Sequence, residues 1–90
     1  MCRSIKSLSN LAPPATPDEV SEAALQYVRK LSGTRSPSRA NKDAFDEAIA
    51  DITEATQRLL DSLVTNAPPR DREVEAAKAR ARYQARAAAV

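Results

Sequence analysis

Residues 41–63 read NKDAFDEAIADITEATQRLLDSL, and their spacing decides the fold. Phe45, Ala48, Ile49, Ile52, Thr56, Leu59, Leu60 and Leu63 recur every three or four positions, which stacks them on one face of a helix. Asp43, Asp46, Glu47, Asp51, Glu54 and Asp61 fall mostly off that stripe, toward solvent. Asn66 can close the helix in a left-handed cap and Pro68-Pro69 keep it closed, so the pattern predicts a helix over about 41–65.

A helix with one greasy stripe has to bury it against another element. The partner lies upstream. In TPDE, Thr16 is placed to cap, Pro17 takes the first helical position, and Glu19 completes a capping box. Val20, Ala24, Tyr27, Val28 and Leu31 then line one face, and Gly33, the single glycine, follows as a left-handed stop. This predicts a helix over about 17–32. Downstream, Pro69 can open a third helix over about 69–87, with Asp71, Glu73 and Glu75 at its positive end and bases beyond. Its packing is shallow, a partial docking through Val74 and its neighbours, because an alanine methyl contributes about 0.8 kcal/mol on burial against 1.5–3 for a leucine. Ahead of the first helix, residues 1–15 place Ile5, Leu8 and Leu11 three apart and end in prolines, the pattern of an extended arm laid on the core. Residues 1–90 therefore form a single all-α domain of three helices with an N-terminal arm. The basic, alanine-rich end, 76–90, projects or frays.

Composition bounds the rest. Alanine supplies 18 of the hydrophobic residues, while Leu, Ile, Val and Phe together supply 16, so the core is thin. A second copy of the chain is an economical remedy, and a homodimer or a protein partner is expected. The N-terminus has Arg3 and Lys6 but no apolar run behind them, and no stretch is long enough to span a bilayer, so a cytoplasmic, soluble protein without a membrane partner is expected.

Several chemistries lack their residues. There is no histidine, hence neither the commonest neutral-pH base nor the commonest zinc ligand. One cysteine cannot form an intramolecular disulfide, and one glycine cannot build a phosphate-binding loop. Asp46, Glu47, Asp51 and Glu54 carry charges a hard cation could use, but acids on the outer face of a helix are ordinarily just solvated. The reading is a non-enzyme with no cofactor, no metal and no small-molecule substrate.

Two sets of residues carry sharper alternatives. Lys78, Arg80, Arg82 and Arg86, with Tyr83 available to stack, form a candidate nucleic-acid contact together with Arg35 and Arg39 of the loop after the first helix and Lys42 just beyond it. The plainer reading is a solvated helix end whose bases suit the negative end of the helix dipole. Cys2 is a candidate reactive thiol: removal of Met1 would set it beside a free amine, and Arg3 and Lys6 would lower its pKa. It could equally bridge two copies, or be a small residue in the arm. Ser36 and Ser38 are explained by a polar loop with a proline.

MCRSIKSL, PPATPDE, AALQYVRKLSG, PSRAN, LLDSL and TNAPPRDREVEAAKARAR together resemble a bacterial family of small proteins, domain of unknown function 2277, over residues 1 to about 82. Relatives tend to carry histidine near position 9 and phenylalanine near 11, where this chain has Ser9 and Leu11, and the ending YQARAAAV diverges. The resemblance brings no activity with it. The functional expectation is an interaction module that self-associates or binds a protein; RNA or DNA binding through the third helix is second, and a thiol role for Cys2 third.

Overall fold

The computed structural model describes residues 5–88. Its architecture is an antiparallel helical pair with an arm and a third helix attached at one end. Helix α1 spans Pro17–Ser32 and helix α2 spans Lys42–Ser62, joined through a short 3₁₀ turn at Arg39–Asn41. Helix α3 spans Arg72–Ala88. Two dipeptides, β1 at Leu11–Ala12 and β2 at Arg70–Asp71, pair in parallel, Leu11 against Arg70.

Helix α1 starts and stops where the sequence predicts. Thr16 is extended and accepts from the Glu19 amide at 3.2 Å, while the Glu19 carboxylate takes the Thr16 amide at 2.9 Å. Gly33 ends the helix at φ 71°, its N–H bonded to the Arg29 carbonyl at 3.0 Å. Val20, Ala24 and Val28 face α2, where Phe45 closes the core; these four are the buried hydrophobic residues among those described. The outer members of the predicted stripes stay wet, with Leu31 68% and Leu59 56% exposed.

Helix α2 stops at Ser62, three residues short of the prediction, and Asn66 does not cap it. Leu63 is already extended at φ −68° and ψ 135° while its N–H reaches the Leu59 carbonyl at 3.1 Å. The β-branched Val64 and Thr65 favour that extended course. Helix α3 begins at Arg72 rather than Pro69. The Asp71 carboxylate accepts from the amides of Glu73 at 2.8 Å and Val74 at 3.0 Å, a cap that proline cannot supply. The Arg70 amide donates to the Asn10 carbonyl at 2.7 Å, which ties the segment just ahead of α3 to the arm.

Of the predicted arm, residues 1–4 lie outside the described residues, while Ile5, Leu8 and Leu11 are each part-buried. Helix α3 is less covered. It contributes no buried residue, and Val74 is 51% exposed, so any packing through Val74 is shallow. The molecule is correspondingly open. Its radius of gyration is 15.7 Å, against about 12 Å for a compact chain of this length.

Candidate interaction surfaces

What holds α3 is a pair of arginines just ahead of and at its start. Arg72 donates to both carboxylate oxygens of Glu19, at 2.8 and 2.9 Å, and to the carbonyls of Pro13 and Pro14, each at 2.9 Å. Arg70 donates to the Ser7 hydroxyl at 3.0 Å and to the Ser9 carbonyl, and stands 3.8 Å from Glu75. Asn10, at φ 57°, returns a bond from its amide to the Pro68 carbonyl at 3.0 Å; asparagine tolerates that left-handed backbone better than most residues. The box that caps α1 is thus also the receptor for α3. The Arg72 hydrogen bonds, then the Thr16 amide, hold the Glu19 carboxyl down at about 2, and the same pairing raises Arg72.

Sequence reasoning missed this junction, although it left a signal. Arginine in or just before the first helical turn opposes the helix dipole and needs a carboxylate elsewhere to justify its place. Arg70 and Arg72 both stand there.

The predicted basic contacts split into two groups. Arg35, Arg39 and Lys42 sit around the α1–α2 connection; the Arg35 carbonyl is bound by the Arg29 side chain at 3.1 Å, and Lys42 pairs with Asp46 one turn on. Helix α3 begins at the other end of α2, about 30 Å away along that helix. Within α3, Lys78 reaches Glu75 at 3.6 Å, while Arg80, Arg82 and Arg86 have no acidic partner among the described residues. Tyr83 is 68% exposed beside them. Cys2 lies outside the described residues.

Two open clefts flank the helical pair. One, of about 540 Å³, lies between the arm and the end of α2, against Leu8, Leu11, Leu60, Leu63, Val64 and Arg70. The other, of about 740 Å³, lies between the ends of α1 and α2, against Val28, Phe45 and hydroxyls of the connecting loop. No group of three or more His, Cys, Asp or Glu able to hold a metal occurs among the described residues. No helix there is long and apolar enough to cross a membrane.

Apolar surface is the more prominent feature. In an antiparallel pair, the 100° advance per residue places Tyr27 of α1 on the same flank as Ala48, Ala55 and Leu59 of α2. Among the described residues that flank is left largely open: Tyr27 is 47% exposed and Leu59 56%. The total accessible surface is 7224 Å², whereas a compact protein of 9.7 kDa exposes about 5,100 Å².

The sequence profile of a family described as uncharacterized conserved protein, DUF2277, matches residues 1–78, and the chain belongs to that family. No curated protein and no solved structure matches it.

Proposed function

We propose that this member of the family is a non-enzymatic interaction module that works by self-association. The observation that carries the reading is the surplus of roughly 2,000 Å² of exposed surface over a compact chain. Each partner of a standard stable interface loses about 800 Å², and obligate dimers lose more, so the surplus matches what a tight dimer of small subunits consumes. The uncovered flank at Tyr27 and Leu59, and a third helix without buried residues, show where that surplus lies. Sedimentation equilibrium over a wide concentration range tests it: the expected mass is a multiple of 9.7 kDa, and a monomer at every concentration overturns the proposal.

A second reading rests on Arg80, Arg82 and Arg86, unpaired with acids among the described residues, next to exposed Tyr83. These are the elements of a phosphate contact with a stacking platform. Titration of RNA and DNA across salt separates the two: affinity that falls steeply with salt favours nucleic acid, and none at low salt dismisses it.

A further inference from the structure

Helix α3 and helix α2 carry complementary patterns of the same length. From Ala76 to Ala88, α3 holds four bases and no acid; α2 holds six acids against two bases. Within α2, Glu54 is taken by Arg58 at 2.9 Å and Asp46 by Lys42. Asp61 accepts from the Gln57 side chain at 3.0 Å, and Asp43, Glu47 and Asp51 remain, exposed and four residues apart, as one row about 12 Å long. Lys78, Arg82 and Arg86 of α3 repeat that row in the opposite sign, with the same spacing and length, Lys78 also standing 3.6 Å from Glu75.

Each row borders a strip of small residues. In α2 it is Ala44, Ala48 and Ala55; in α3 it is Val74, Ala77 and Ala81; all are exposed except Ala48, which is part-buried. Alanine strips let two helices approach closely, and charged rows alongside then fix partner and direction. The hand decides the direction. Viewed down each helix from its N-terminus, the acid row lies on the anticlockwise side of the α2 strip and the base row on the clockwise side of the α3 strip. With the strips face to face, the rows meet when the helices run parallel, and part when they run antiparallel.

A single chain cannot make that pairing. Parallel alignment needs α3 to start near Lys42, but Arg70 lines the cleft at the far end of α2 beside Leu60 and Leu63, and Arg72 is bound to Glu19. We infer that α3 of each chain packs parallel on α2 of a second copy, alanine strip on alanine strip, with Lys78, Arg82 and Arg86 set against Asp43, Glu47 and Asp51. The exchange is reciprocal, as a two-fold dimer requires. This rests on the self-association proposed above and adds its surface and direction.

The test reverses charge on each row. One full-length variant carries Arg82→Glu and Arg86→Glu; the other carries Glu47→Lys and Asp51→Lys. All four positions are exposed, and circular dichroism checks that each variant stays helical. Like charges then face each other, and each variant alone should dissociate with a Kd raised about tenfold or more. An equimolar mixture should restore a heterodimer. In the wild-type protein, zero-length carbodiimide coupling should join Lys78 to Asp43 or Glu47 between chains. If the wild type assembles but neither reversal weakens it, or if Lys78 couples between chains to Asp61 instead, the α3–α2 pairing is wrong while self-association stands. If the wild type is monomeric throughout, both fall. Reversal of Arg82 and Arg86 that abolishes nucleic-acid binding but spares assembly assigns the base row to nucleic acid and overturns the pairing.

Discussion

Phe45→Ala is the substitution that most directly interrogates the core. Phe45 is 9% exposed and is the one buried side chain that α2 contributes to the Val20–Ala24–Val28 face. Truncating a sealed phenylalanine costs about 3–5 kcal/mol, the spread reflecting how much cavity remains. Phe45 lines the open cleft of about 740 Å³, so the space left behind joins solvent instead of staying empty. The expected loss therefore sits near the lower bound, about 3 kcal/mol. Whole-chain stability at about 0.05–0.15 kcal/mol per residue is roughly 5–13 kcal/mol, and so exposed a molecule belongs at the bottom of that range. Phe45→Ala thus removes more than half of what holds the fold. Phe45→Leu, which keeps most of the volume, should cost under about 1.5 kcal/mol. Urea unfolding followed by circular dichroism, at two protein concentrations because assembly shifts the midpoint, measures both. A Phe45→Ala loss below about 1 kcal/mol at unchanged slope would refute the placement of the core between α1 and α2.

Three further outcomes follow from single contacts. Gly33→Ala should destabilise by about 1 kcal/mol through backbone strain at φ 71°, since a Cβ there meets nothing within 4 Å; Gly33→Asn should cost less, and equal costs in urea unfolding would contradict this. Glu19 has its pKa lowered from 4.5 to about 2, so between those values the unfolded chain binds the extra proton, and stability present above 4.5 is lost as pH falls toward 2. Stability profiles of the wild type and Glu19→Gln across that window should differ in slope, and identical slopes would clear Glu19 of the effect. Arg72→Ala should speed hydrogen exchange in residues 10–16 and the first turn of α3 while leaving α1 and α2 protected, because Arg72 binds Pro13, Pro14 and Glu19 and no residue of the core. Uniform exchange across the chain would show that the junction and the core unfold together.

The helical pair was legible because its signals are local. A capping box, a stop glycine and two stripes each act within a few residues, and their periodicity survives without knowledge of the partner. Element boundaries near Leu63 and Asp71 were not legible. Next to Asp71 the Arg70 amide is bonded to the Asn10 carbonyl, a contact sixty residues away along the chain that no local pattern announces. The same holds for the candidate site. The bases of α3 could be enumerated from the sequence, but the want of acidic partners for Arg80, Arg82 and Arg86 among the described residues, and the exposure of Val74 beside them, could not.

Sequence alone determined that the chain is helical, where α1 begins and ends, and which face of α2 is apolar, because backbone propensity and side-chain spacing are properties of neighbours. Tertiary structure decided that two arginines rather than Val74 hold the third helix, and that the pair closes on four residues while Tyr27, Leu31 and Leu59 stay wet. Burial is a property of what lies opposite a side chain, and in this protein a single copy supplies too little of it.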